Sequence, residues 1–402
     1  MKFKNKYIPQ AIVTLVLILG VQSLTFAQDD NTLGAQAYLS IKTWSPSEKY
    51  NAAHFLMVPL YYAYKNNNIE LKAQFNDHIK KFLADENKRI DVTDISQRLN
   101  NLQYFYFLSE YAVLAKNQEL AKYLLDNISK FWLDVPAPQW GMSPLPNARD
   151  RILWKLQAGA DVGYKRLIID EEFFIFGTAA NLLKLYSENK TLIDIRDLAL
   201  DVFKQRSEFD PQGAWLFDKG VFDNYPDYAY AGYNSTNNIT KPKPLKNMVS
   251  DSSHFFRIPK ILLSLQNSYI ANSDNYNLYK SYRTGLNQQF LSKVVQINNN
   301  NIFLTNYMDG RNGVFRWNYS VKNKGIGPYK QTYAFGIGWW VFLKNPKVKD
   351  LYVKYYNQVR LDGNECNSLM KSIISKKEMT YTLNFQKCEI IYNSYLASRL
   401  NI

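Results

Sequence analysis

Apolar residues recur along this chain at helical spacing, and they do so in successive pairs of segments. Asn51 to Lys65 is apolar on nearly every turn, and Ile69 to Leu83 follows with Leu71, Phe75, Ile79, Phe82 and Leu83 along one face. Leu102 to Leu114 and Leu120 to Leu133 repeat this pairing of a richly apolar helix with an amphipathic one. Asp170 has the N-cap chemistry for a helix over Glu171 to Tyr186, and Thr191 to Phe203 comes after it. Ser252 to Leu265 pairs with Asn275 to Phe290, Tyr329 to Leu343 pairs with Val348 to Val359, and Ile390 to Leu400 closes the series. Glu378 to Cys388 alternates enough to predict a short C-terminal β-hairpin or strand.

Since the first helix of each pair is the more apolar, the pattern predicts two layers, with inner helices buried on most sides and outer helices with one wet face. Two architectures satisfy this: a closed (α/α) toroid of five to six helical hairpins, or an open superhelix of tetratricopeptide type. Tetratricopeptide units recur every roughly 34 residues. The connections here are instead long and uneven, at 134–168, 208–250 and 294–328, each leading into an inner helix. We therefore expect an all-α (α/α) toroid. Without a Pro/Gly/Ser linker to divide it, the expectation is one domain over 28–402. Long loops in a compact domain are usually functional.

The first residues change the picture of where the chain works. Lys2, Lys4 and Lys6 precede an apolar run from Ala11 to Val21 that only Thr14 and Gly20 interrupt. Thr25 and Ala27 suit the −3 and −1 positions of a signal-peptidase site, so residues 1–27 read as a signal peptide cut after Ala27. The run is short for a bilayer of about 30 Å, and no later stretch reaches that length, so no membrane span is expected after cleavage. With no cysteine at the cut, lipid attachment is not expected. The expected location is secreted or periplasmic. There, Cys366 and Cys388, the only cysteines, form a possible disulfide, whereas without a nearby histidine they make a poor zinc site. The whole chain carries +14; the leader holds three of those charges and no acid, which leaves +11. Such a balance suits an acidic polysaccharide or oligosaccharide, and the absence of dense Lys/Arg tracts argues against nucleic acid.

Candidate chemistry gathers where the long loops meet the starts of the inner helices. The stretch "DSSHFFRIP" carries Asp251, one of only three histidines (His254), and Arg257. Asp251 is an N-cap type, and His254 lies within reach three residues on, where the acid can orient the ring. His54 stands among apolar residues and reads as core; His78 reads as the surface of an outer helix. The loop stretch "PDYAYAGY" supplies Asp227, Tyr228, Tyr230 and Tyr233. Rings and hydroxyls outside a helical stripe make a platform on which sugars stack and are oriented. The 305–333 loop has the same flavour, with Tyr307, Asp309, Arg311, Arg316, Trp317, Tyr319, Tyr329 and Tyr333, and the earlier loop offers Trp140, Asn147, Arg149, Arg151 and Lys155. Glu171 and Glu172 open another inner helix. Arginines at such a mouth can pair with a uronate carboxylate or a sulfate. Nucleotide-loop, zincin, nucleophile-elbow and EF-hand motifs are absent, and three scattered histidines make a poor metal site, so neither cofactor nor metal is expected. The "GIG" at 336–338 falls in an apolar helix, where glycine allows close packing.

A secretory leader, serial helical hairpins, Tyr- and Trp-rich loops and "DSSHF" opening an inner helix resemble the (α/α)-toroid enzymes that act on polysaccharides. These include lyases of alginate-, chondroitin- and heparin-degrading types and related uronyl hydrolases. The resemblance covers most of residues 40–400 as architecture; its sharp part is "PDYAYAGY" and "DSSHFFRIP". It implies proton transfer by tyrosine and histidine, with Asn, Gln, Arg or an acid neutralising the uronate. The expectation is β-elimination on a uronate-containing polysaccharide, with His254, Tyr228, Tyr230 and Asp251 catalytic. Asp227, Tyr233, Arg257, Glu171, Trp317, Tyr329, Tyr333, Trp140 and Arg149 would bind substrate. The alternatives are a glycoside hydrolase using paired carboxylates drawn from Asp227, Asp251, Glu171 and Glu172, and a glycan-binding helical-repeat protein without catalysis.

Overall fold

The computed structural model describes residues 30–401 except 87–88, 318–324, 361–362 and 380; the expected signal peptide lies outside the described residues. The fold is mostly helical, with small antiparallel hairpins. In chain order come α1 (Leu33–Ser40), α2 (Lys49–Lys65), α3 (Ile69–Ala84), α4 (Arg98–Ala115) and α5 (Gln118–Leu133). The hairpin β1 (Ala137–Gln139) and β2 (Met142–Leu145) precedes α6 (Ala148–Gln157), α7 (Asp170–Leu182) and α8 (Lys190–Arg206). Next are β3 (Ser207–Phe209), β4 (Trp215–Phe217), α9 (Ser252–Phe255), α10 (Ile258–Gln266) and α11 (Asp274–Gln289). The hairpin β5 (Val295–Asn298) and β6 (Asn301–Leu304) leads to 3₁₀ segments at Lys330–Ile337 and Trp339–Leu343. The chain ends with α12 (Pro346–Val359), α13 (Gly363–Lys376) and α14 (Leu383–Arg399).

Two layers follow from the pattern of burial. α4 buries an unbroken run from Asn101 to Ala112, and α7 one from Glu172 to Leu182. Their partners α5 and α8 bury one face each, as α3 does beside α2. The turns between layers are tight and locally encoded: Asn67 and Lys116 take left-handed φ values of 55° and 53°. Asn68, Asn117 and Asn189 then cap α3, α5 and α8 by accepting the backbone N–H three residues on. The inner elements touch in a cycle: α2 packs on α4, α4 on α7, α7 on α10, α10 on 339–343, the 3₁₀ segments on α14, and α14 on α2. Lys260 of α10 pairs with Glu110 of α4, which also accepts from Tyr61 of α2 at 2.5 Å, so these three helices meet at one buried point.

Several expectations are corrected. Glu378 to Cys388 holds no strand among its described residues. Thr382 caps α14 through the Phe385 N–H, Phe385 and Cys388 are buried on that helix, and Cys388 is disulfide-bonded to Cys366 in α13. Ser252 to Leu265 is broken into α9 and α10, because Pro259, in the first turn of α10, has no N–H for a continuous helix. Tyr329 to Leu343 is two 3₁₀ pieces divided by Gly338 at φ +98°. A side chain at Gly336 would meet Ile390 at 2.3 Å, so close packing is its role as expected. Ile169, not Asp170, occupies the N-cap position of α7; Glu172 accepts the Ile169 N–H at 2.7 Å. His78 is buried rather than superficial. α1 covers that face of α3, and the ring bonds to Thr43 Oγ1 at 2.7 Å and the Leu39 carbonyl at 3.1 Å. No helix among the described residues is long and apolar enough to cross a membrane.

Candidate active site

Two long loops build the site before any catalytic group is considered. The backbones at Ser250–Ser252 and Asn306–Met308 bridge one another, with Ser252 N–H donating to the Asn306 carbonyl at 2.9 Å and Met308 N–H to Ser250 at 3.0 Å. Tyr228, Ala231, Met248, Tyr307 and Phe315 form a small second core beneath this seam. Arg311 fastens it, donating to the Lys246 and Asn247 carbonyls at 2.8 and 2.6 Å while pairing with Asp309.

Asp251 emerges there as the N-cap of α9. Its Oδ1 accepts from the Ser253 N–H and the His254 N–H at 3.0 Å each, and from Ser253 Oγ at 2.6 Å. Its Oδ2 accepts from Tyr228 Oη at 3.0 Å, and His254 Nδ1 lies at 2.8 Å. Tyr228 Oη in turn accepts the Asp251 N–H at 2.8 Å, so this buried hydroxyl is fully committed. Burial alone would raise the Asp251 carboxyl, but His254, Ser253 and Arg316 outweigh it and hold the group far below the usual range. Burial and the adjacent Asp251 push the Tyr228 phenol well above its ordinary value. Tyr228 therefore keeps its proton and orients Asp251.

The other face of the imidazole meets Arg316, whose Nη2 lies 2.9 Å from His254 Nε2. A guanidinium donates only, so Nε2 is the acceptor and Nδ1 carries the proton toward Asp251. The local backbone aims Arg316: its φ is +52°, and its N–H donates to the Asp227 carbonyl at 2.8 Å. Its Nε stands 3.5 Å from Asp227 Oδ2. Burial raises the Asp227 carboxyl, with Arg316 opposing.

Arg257, the expected uronate ligand, is 2% exposed and fully engaged. It donates to Asp170 at 2.9 Å, His54 Nε2 at 3.0 Å and Tyr50 Oη at 2.9 Å, tying α7 and α2 to the start of α10. Burial, then Arg257, keeps the His54 ring well below its ordinary value, in line with its core role.

Two cavities open on either side of His254, which lines both. One, of about 210 Å3, runs past Trp140, Tyr225 and the starts of α4 and α7. The other, of about 580 Å3, runs past Arg316, Tyr333 and the starts of α2 and α14. Helix N-termini carry partial positive charge, so this mouth favours negative charge before any side chain is added.

The expected site residues divide accordingly. Asp227, Tyr228, Asp251, His254, Arg257, Glu171, Trp140 and Tyr333 line one or both cavities. Trp140 stacks on Tyr225 at 6.0 Å. Tyr230 lies between Tyr233 of its own loop (6.5 Å) and Trp317 of the later one (5.3 Å), an aromatic ledge that both loops build. Glu171 is held by Arg98 and Arg151 at 2.8 Å each, and Glu172 by Arg151 and Lys155 at 2.7 Å each. That ion cluster supports the mouth. Arg149 pairs with Asp194 at 2.9 Å, and Tyr329 packs on Phe303, both outside the cavity walls. Tyr225 and Gln331 emerge only from the fold, and Arg316 and Asp170, present in the sequence reading as a loop arginine and a cap, gain their places at His254 and Arg257 from it; Gln331 is buried and accepts the Ser253 N–H at 2.7 Å. Arg316 stands in the aromatic loop, but nothing in the sequence sets it above Arg311. No family model, curated protein or solved structure matches the chain.

Proposed function

We propose that this chain is a secreted or periplasmic (α/α)-toroid enzyme that cleaves a uronate-containing polysaccharide by β-elimination. The observation that carries the reading is the Asp251–His254–Arg316 array at the mouth where inner helices begin. The cycle of inner-element contacts supports the toroid. The disulfide between Cys366 and Cys388 supports an oxidising compartment.

The chemistry requires removal of the C5 proton, alpha to a carboxylate, and that proton becomes more acidic when the carboxylate is neutralised. In the free protein Arg316 caps His254 Nε2. An entering uronate carboxylate competes for that guanidinium and forms the stronger charged pair. Nε2 is then released beside the substrate as general base, held in the right tautomer by Asp251. Tyr333, half-exposed in the same cavity, is suited to return a proton to the leaving oxygen. Tyr230 and Trp317 remain as a ledge for sugar rings.

The test is the ultraviolet absorbance of the conjugated C4–C5 double bond in the unsaturated uronate, followed during incubation with uronate polymers. Absorbance should rise with the native protein and fall by roughly a hundredfold or more in His254→Ala. Reducing ends released without absorbance would instead favour hydrolysis. There Asp227, whose carboxyl burial raises, would be the acid. Retention of a polymer without turnover would leave a binding protein.

A further inference from the structure

We propose that the cleft around His254 is built for a polymer in which uronate alternates with an uncharged sugar, with the uronate on the Arg316 side and the uncharged ring on the Trp140 side. This rests on the reading of the site as one for uronate polymers and names which of them it takes.

The two cavities present opposite hydrogen-bonding character. The smaller is walled by the carboxylates of Asp170, Glu171, Asp227 and Asp251, with no Lys or Arg lining it among the described residues. Their balancing cations, Arg257, Arg98, Arg151 and Arg316, approach these carboxylates without joining that wall. With Asp251 committed to His254, Ser253 and Tyr228, the partly exposed Asp170, Glu171 and Asp227 offer a sugar acceptor oxygens beside aromatic faces. Trp140 is 39% exposed, stacked on Tyr225, with ring area left open. In the larger cavity Arg316 and Lys387, which only donate, face the opening, while Arg257 behind them is already committed to Asp170, His54 and Tyr50. The one acid lining this cavity among the described residues, Glu389, is buried and receives the Tyr38 hydroxyl; burial pushes its carboxyl well up, so it does not oppose an anion.

A uronate carboxylate only accepts hydrogen bonds. It is matched on the Arg316 side, whereas on the Trp140 side it would face like charges, which weakens its binding there. Hydroxyls and acetamido N–H groups of an uncharged sugar donate to those same carboxylates. His254, common to both walls, places the broken linkage between the two rings. Its Nε2 takes the C5 proton of the uronate, the C4–C5 double bond forms, and the C4–O4 bond breaks. O4 leaves with the uncharged sugar and takes a proton from Tyr333. Solvent then carries the proton from the imidazolium back to the phenolate.

Three tetrasaccharides distinguish this arrangement: one of hyaluronan type (uronate alternating with N-acetylhexosamine), one of guluronate and one of galacturonate. Their binding is measured by calorimetry on His254→Ala, and turnover by absorbance on the native protein. The alternating oligosaccharide should bind on the order of tenfold more tightly than either homo-uronate. Trp140→Ala, or Trp140→Leu should the first fold poorly, should erase most of that preference by weakening only the alternating ligand. Equal or tighter binding of a homo-uronate overturns the assignment, as does binding of none of the three at millimolar concentration. Selective binding of the alternating ligand without any absorbance change would sustain the assignment and remove the elimination chemistry. Turnover confined to homo-uronates would do the reverse.

Discussion

His254 has both ring nitrogens occupied in the free protein, one by an acid and one by a guanidinium. In the proposed reaction Nδ1 is the orienting contact and Nε2 the working one, so the two substitutions beside it are not equivalent. Arg316 is partly exposed, and its loss leaves Asp227, whose carboxyl burial already raises, able to take up a proton rather than stand as an unpaired charge. Arg316→Ala should therefore leave the thermal midpoint nearly unchanged while lowering kcat/KM on a uronate polymer by about 10²–10³. Arg316→Lys should recover little, because an ammonium cannot reproduce the planar fork that reaches His254 and Asp227 together. Steady-state kinetics with a melting curve decide it: activity within about threefold of the native value in Arg316→Ala would remove this side chain from the mechanism. Arg257 is the contrasting case. It is buried with Asp170, His54 and Tyr50 around it, so its removal would strand polar partners and act through the fold.

At the scale of elements, α1 shows how docking sets the chemistry of a residue. By covering α3 it encloses His78, and burial lowers that ring to about 4 from an ordinary 6.5. Above pH 6.5 neither the folded nor the unfolded state binds the proton, and the ring contributes no pH dependence. Between pH 6.5 and about 4 the unfolded chain binds a proton that the folded one excludes. Stability therefore falls as pH falls, by about 1.4 kcal/mol per pH unit from this ring. Urea unfolding at pH 7, 6 and 5 should show the decline, and His78→Gln should make it shallower by about one proton's worth; an unchanged slope would mean the ring is not enclosed. The sequence pattern of α3 marks Leu71, Phe75, Ile79 and Phe82 as its buried face, yet it cannot say that the eight residues of α1 cover His78 as well. The paired helices α2–α3, α4–α5, α7–α8 and α10–α11 were legible because each has its own periodicity and many have their own cap. The 3₁₀ pieces around Gly338 were not. Their departure from an α-helix is set by contact with Val58 and Ile390 of distant helices. The dyad of Asp251 and His254 was legible because three residues separate them; the arginine that completes it comes from a loop 62 residues away.

For the whole molecule, the decisive feature is how the last helix meets the first inner one. Asn393 of α14 donates to the Phe55 carbonyl of α2 at 3.2 Å and to Ile337 at 3.4 Å, so one side chain bridges both neighbours of α14. Asn66 donates to the Arg399 carbonyl at 2.8 Å, and the Asn401 N–H donates back to Asn66 at 3.0 Å. In an open superhelix each unit leans only on its neighbours, and loss of a terminal unit leaves the rest folded with a modestly lower midpoint. In a closed ring the same deletion exposes apolar faces on both flanking elements and opens the cavity that α14 helps to wall. A chain ending at Arg360, lacking α13 and α14, therefore separates the two architectures. The toroid reading expects no cooperative thermal transition by circular dichroism and no retention on uronate polymers. A sharp two-state transition within about 10 °C of the full chain would instead assign the fold to the open series. It would also remove the reason for its inner helices to converge on one mouth.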